Sequence, residues 1–177
     1  MNRFARCAAG SAILGVLVAH AISWSPSQLL WPCHVASFAI ALGLVLDDPR
    51  WLGAGVVFHV GEGIPAYVLD LIAIGETSVT SILSHVLPIA CGGWGLWGKP
   101  LPRGIVVRAW LFQPFAMVAA YFLSDPDRNV MHVHKLYGPT ASLFPSLWVS
   151  WIAYLVLSLC FLSIGWLALR RVWSRWR

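Results

Sequence analysis

The sequence predicts an all-α, polytopic integral membrane protein: one transmembrane domain, 1–177, built as a six-helix bundle with both termini cytoplasmic. Three observations predict it. Hydrophobic residues make up 59% of the chain and charged residues 11%; that charge is under half the ~25% usual in soluble domains, and the mean hydropathy is +0.74. The apolar residues gather into six segments, each near the about 20 residues a helix needs to cross a bilayer. The basic residues concentrate at alternate links.

The first segment, 4–24, starts after Arg3 and ends at Trp24. Its basic start, apolar run and Ala-His-Ala at 19–21 also read as a signal peptide; cleavage after Ala21 would leave five spans and the same C-terminal orientation. The expectation is an uncleaved first span. The second segment, 29–46, opens on Trp31-Pro32-Cys33-His34 and is closed by Asp47-Asp48-Pro49-Arg50. The third, 51–74, carries His59, Glu62 and Asp70. The fourth, 77–97, ends before Lys99-Pro100-Leu101-Pro102-Arg103. The fifth, 104–123, holds Gln113 beside Pro114. A longer outer loop, 124–144, leads to the sixth, 145–169. Backbone groups in lipid must be satisfied within the segment, so each is expected to be a helix.

Charge gives the orientation. Arg3, Arg6, Arg50, Lys99, Arg103, Arg108, Arg170, Arg171, Arg175 and Arg177 fall on one side, and Arg128 and Lys135 on the other. The positive-inside rule makes the first side cytoplasmic. The expected location is the plasma (inner) membrane, multi-pass, and the expected partner is the bilayer. Tryptophans agree, with Trp24, Trp31, Trp148 and Trp151 at the outer interface and Trp51, Trp97, Trp110 and Trp173 at the inner one. The net charge of +5 therefore reads as topology and not as a nucleic-acid footprint. Cys7, Cys33, Cys91 and Cys160 form no CxxC or CxxH pair, so neither a disulfide framework nor a zinc knuckle is expected.

Depth follows from orientation at about 1.5 Å per helical residue. Glu62 falls at the midplane, His59 deeper toward the cytoplasm and Asp70 near the outer edge. Positions 59, 62, 66 and 70 share one face of a regular helix. On the fourth segment Ser78, Ser81, His85 and Pro88 share another, with His85 near the level of Glu62. A short link makes these two segments antiparallel neighbours, so the stripes are expected to meet and Glu62 to pair with His85. His20, Cys33, His34, Thr77, Thr80, Ser81, His132 and His134 also map outward. The expectation is a polar site inside the bilayer that opens outward, with Asp70, His132 and His134 as a lid layer. A carboxylate at the midplane is expensive, which marks Glu62 as functional. Single Ser, Thr and Cys residues also serve plain helix packing, so a structural membrane subunit is one alternative.

Four chemistries fit these residues. The first is an enzyme acting on a lipid-like or amphipathic substrate by acyl transfer or hydrolysis. In it Glu62 or Asp70 orients His85 as general base, and Cys33, Thr77, Thr80 or Ser81 is the nucleophile. In overall plan this resembles six-span lipid hydrolases and acyltransferases that use a membrane Thr or Cys with a His; the likeness lies in the plan and not in any run of sequence. The second is a divalent metal site, zinc or iron, from His59, Glu62 and His85 with His34. The third is haem b between His34 and His85. The fourth is a small proton-coupled permease, suited by midplane acids and proline-broken helices.

Overall fold

The computed structural model describes residues 1–75, 77–127, 129–136 and 142–174. Within them the chain is all-helical, with no strand. Arg128, Arg175 and Arg177, which entered the orientation argument, and the Tyr137-Gly138-Pro139 turn of the outer loop lie outside the described residues.

The helices are α1 (Arg3–Ser23), α2 (Pro32–Leu46), α3 (Pro49–Phe58), α4 (Ile64–Ile74), α5 (Val79–Leu96), α6 (Ile105–Trp110), α7 (Phe112–Leu123) and α8 (Leu147–Ser174). A 3-10 turn, Pro26–Leu30, precedes α2, and a π-helical turn, His59–Gly63, joins α3 to α4. Five helical runs are long and apolar enough to cross a membrane: Arg3–Ser23, Pro49–Ile72, Val79–Leu96, Ile105–Leu123 and Leu147–Ser174. The second expected segment is the exception. Pro32 starts its helix late, and α2 has only 15 residues, about 22 Å at 1.5 Å per residue.

That short helix is the centre of the bundle. It packs on α1, α3, α5 and α7, and Ala36, Ile40, Ala41 and Leu44 are fully buried. A helix buried over most of its surface has no need of a polar face, which fits its run of Ala, Val, Ile and Leu; Phe38, Val45 and Leu46 are its exposed apolar side chains. Its end is set by charge and backbone together. Asp47 takes the left-handed conformation, at φ 56°, that closes a helix. Asp48 then caps α3 by accepting from the Arg50 amide at 2.8 Å, with Pro49 in the first turn. The Asp47 carboxylate pairs with Lys99 at 2.6 Å and Arg6 at 3.4 Å, and the Trp173 indole N–H donates to the Lys99 carbonyl at 3.2 Å. α1, α2, α5 and α8 are thus tied together at the basic end.

The π turn has a local cause. Pro65 has no N–H to give to the carbonyl four residues back, and the Ile64 N–H bonds the His59 carbonyl, the five-residue spacing of a π turn. α8 crosses it there at very close range. A β-carbon on Gly61 would lie 3.0 Å from the Leu162 Cα, and one on Gly165 would lie 2.9 Å from the Gly61 nitrogen. Only glycine lets the two backbones approach so far. Beyond the turn α4 packs on no other helix extensively, and Leu69 and Ile72 stand exposed. The third and fourth expected segments are neighbours through α3 and the π turn, which pack on α5, while α4 does not pack on it extensively; α5 also packs on α1 and α2.

Candidate functional site

Imidazoles gather at the end of the bundle opposite Asp47. The last turn of α1 brings His20, the first turn of α2 brings Cys33 and His34, the π turn brings His59, and α5 brings His85. Ring centroids are 4.7 Å apart for His20 and His34, 5.8 Å for His34 and His85, and 6.1 Å for His59 and His85. Cys33, His34 and His85 each offer one ligand-type atom, all within 4.8 Å of one another. His34, His59 and His85 are buried.

Backbone carbonyls fix the tautomers. A carbonyl can only accept, so His34 donates Nδ1–H to Gln28 at 2.6 Å and His85 donates Nδ1–H to Ser81 at 2.9 Å. Each neutral ring then carries its lone pair on Nε2. The Ser84 hydroxyl also donates to the Ser81 carbonyl, at 2.8 Å, so at 3.2 Å it accepts a second share of the His85 Nδ1–H. His59 is held the other way round. The Ser37 hydroxyl has one proton and two carbonyls in reach, Cys33 at 2.9 Å and Ser84 at 3.1 Å; with that proton on a carbonyl, His59 takes the tautomer that donates Nε2–H to Ser37 at 2.9 Å. The lone pair of His59 is left on Nδ1. His34 Nε2 and His59 Nδ1 are both buried with no hydrogen-bond partner. Tyr67 lies flat against His85, with centroids 4.2 Å apart and planes 13° from parallel, and its hydroxyl meets Thr77 Oγ1 at 2.7 Å.

The other expected residues take different places. Glu62 does not reach His85: the Ser158 hydroxyl of α8 donates to its carboxylate at 2.5 Å, and among the described residues no hydrogen bond joins Glu62 to His85. The π turn is the reason, because it breaks the regular face on which 59, 62, 66 and 70 would align. It sends His59 toward α2 and α5, and Glu62 toward α8. Asp70 is exposed and is the carboxylate whose charge His85 feels. Thr80 spends its hydroxyl on His20 at 3.4 Å and on Ser78 at 3.0 Å. Ser81 contributes its carbonyl, and its amide is capped by Ser78 at 3.1 Å. Cys33 is the candidate nucleophile that stands beside His85.

The outer-loop histidines are held apart from each other. His132 meets the edge of Trp31, centroids 5.9 Å apart, and burial holds its pKa below the ordinary imidazole value, with Asp70 pulling it partly back. It is therefore neutral at neutral pH. His134 packs on Tyr121 of α7, centroids 5.4 Å apart. Trp110, expected at the inner interface, instead donates to the Leu155 carbonyl of α8 at 2.9 Å. A cavity of about 610 Å³, lined by Arg103, Trp166, Arg170 and Trp173, lies at the basic end; no residue of the histidine cluster lines it.

The arrangement sets a thiol beside two neutral imidazoles, those of His34 and His85, with ring centroids 5.8 Å apart; the buried His34 Nε2 is left without a hydrogen-bond partner. Sequence reasoning missed Tyr67, Ser84, Ser158 and Gly165. Each is ordinary in an apolar helix, and each acts through a partner distant in sequence.

Comparison with protein-family models, with curated proteins and with solved structures finds no match to the chain.

Proposed function

We propose that the chain is a six-span protein of the plasma (inner) membrane, both termini cytoplasmic, that carries out acyl transfer or hydrolysis on a lipid-like ester at the Cys33–His85 pair. The observation that carries the reading is the placement of the Cys33 sulfur within 4.8 Å of one ring nitrogen each of His34 and His85, with the His85 Nδ1–H committed to the Ser81 carbonyl. The topology is supported by the exposed apolar side chains along the helices, among them Phe4, Ile22, Leu69, Phe122, Leu157 and Ile164, which suit a lipid surround. It is supported too by the gathering of Arg6, Arg50, Lys99, Arg103 and Arg170 at one end. The histidine cluster then faces the extracytoplasmic side.

The steps use this chain's own groups. His85 Nε2 takes the Cys33 thiol proton, and the thiolate attacks the ester carbonyl. Collapse forms a Cys33 thioester and expels the alcohol, which receives the proton from His85. Water or a second alcohol then attacks the thioester, giving up its proton to His85; release of the acid or the new ester returns that proton to Cys33. A thiol attacks as its thiolate and needs a base beside it, and His85 supplies that. Tyr67, stacked on His85 and bonded to Thr77, fixes the ring plane.

Membranes carrying the chain are expected to release or exchange acyl groups of amphipathic esters. Cys33→Ser and His85→Gln are each expected to lower that rate by about 10²–10⁴. Equal rates in both variants and the wild type would defeat the reading.

A further inference from the structure

A thiol and one base suffice for acyl transfer, yet a second neutral imidazole stands in the same triangle. His34 has its Nε2 lone pair buried and unpartnered, while its Nδ1–H and that of His85 are tied to the Gln28 and Ser81 carbonyls. A backbone carbonyl on the far nitrogen is the outer-shell arrangement that orients metal-binding histidines. Two imidazole nitrogens and one sulfur form a soft to borderline donor set, which selects zinc-like ions over magnesium or calcium.

We propose that Cys33, His34 and His85 together bind a single Zn²⁺-class ion, and that this ion regulates the site by occupying its nucleophile and its base. The regulatory half rests on the acyl-transfer reading; the binding half does not. Zn–S near 2.3 Å and Zn–N near 2.0–2.1 Å put the donors of a tetrahedron about 3.3–3.6 Å apart. The triangle, already within 4.8 Å, therefore contracts by no more than about 1.5 Å along any edge, a side-chain adjustment. Three protein donors leave a fourth position for water or a substrate oxygen. Binding replaces the thiol proton by the metal: Cys33–SH and Zn²⁺ give the zinc thiolate and one proton released to solvent, with no change of oxidation state. This set differs from the one expected from sequence. Cys33 replaces Glu62, which Ser158 occupies, and His59, whose Nε2 is held by Ser37, is outside it.

The test uses the purified full chain in detergent with Cys7, Cys91 and Cys160 changed to Ser, titrated with Co²⁺ as a spectroscopic stand-in and then with Zn²⁺. The expected result is one equivalent of Co²⁺ with a thiolate-to-cobalt charge-transfer band, displaced by one equivalent of Zn²⁺. His34→Gln and His85→Gln are expected to weaken binding at least about tenfold, and Cys33→Ser to remove the band. Reversible methanethiosulfonate capping of Cys33, in protein that keeps all three ligands, should abolish the band and reduction should restore it; this arm does not depend on the folding of a variant. Acylation by an activated ester, measured first with chelator, should fall in proportion to Zn²⁺ occupancy. No band at one equivalent, or uptake unchanged by the cap, overturns the site. Acylation unchanged at full occupancy overturns the regulation. A band in protein that never acylates under chelator would refute the acyl-transfer reading and leave the metal site standing.

Discussion

Replacing Gly165 by Ala should loosen the polar site without touching it. Its new β-carbon would stand 2.9 Å from the Gly61 nitrogen and 3.5 Å from the Val60 carbonyl carbon. Backbone atoms cannot rotate aside as a side-chain tip can, and ordinary carbon contacts need about 3.5–4.0 Å. α8 must therefore retreat from the π turn by roughly 1 Å, a move that overpacking studies place at about 1–3 kcal/mol. Ser158 lies two helical turns from Gly165 on the same face of α8. A retreat of that size lengthens its 2.5 Å bond to Glu62 past hydrogen-bonding range, which costs a further roughly 1.5–3 kcal/mol for a bond to a charged group. The total expected for Gly165→Ala is about 2.5–6 kcal/mol, against about 1.5–3 kcal/mol for Ser158→Ala. Because both break the same bond, the double variant should fall short of their sum by about 1.5–3 kcal/mol. Unfolding by SDS titration in mixed micelles reads all four corners of this cycle. Additive losses, or a Gly165→Ala protein as stable as wild type, would refute the crossing as the support of Glu62.

Three further outcomes are expected. Gly63→Ala places a β-carbon 2.9 Å from His59 Nδ1 and 3.6 Å from the Cys33 Cβ, so it should lower the rate of Cys33 alkylation by a lipid-soluble maleimide or change its pH profile; an unchanged profile would remove His59 from the thiol's surroundings. Asp47 is held below its ordinary carboxyl value of 3.8 first by the Lys99 hydrogen bond and then by the charges of Lys99 and Arg6. A depressed carboxyl stabilises the fold above that value and loses its contribution as pH falls through the folded value, so Asp47→Asn should flatten the acid limb of the stability profile below about pH 4 and leave it alone near neutrality. A C-terminal reporter active only outside the cytoplasm should stay silent, and activity there would invert the orientation.

The helix order was legible because it depends on composition and on local punctuation. Five segments match observed helical runs to within a few residues, and Asp47-Asp48-Pro49 marks its turn by backbone chemistry alone. The gathering of His20, His34 and His85 at one end of the bundle was also readable, since strong periodicity and alternating direction fix which helix ends meet. The π turn was not. Gly61, Gly63 and Pro65 flag a weak point, but the rotation they produce depends on α8, which is distant in sequence and apolar in character. That one rotation moves Glu62 from His85 to Ser158 and leaves Cys33 as the neighbour of His85. The seats of the loop histidines, His132 against Trp31 and His134 against Tyr121, were not legible either, because tertiary packing sets both partners.

In the proposed reaction Cys33 becomes a thioester. The chain, purified with chelator and incubated with a long-chain activated ester, is digested and the peptide carrying Cys33 is weighed before and after neutral hydroxylamine. One acyl mass is expected on Cys33, removed by hydroxylamine, and strongly reduced in His85→Gln. An acyl group found on Thr80 or Ser81 and resistant to neutral hydroxylamine, or a Cys33 that stays free while ester is consumed, would contradict it.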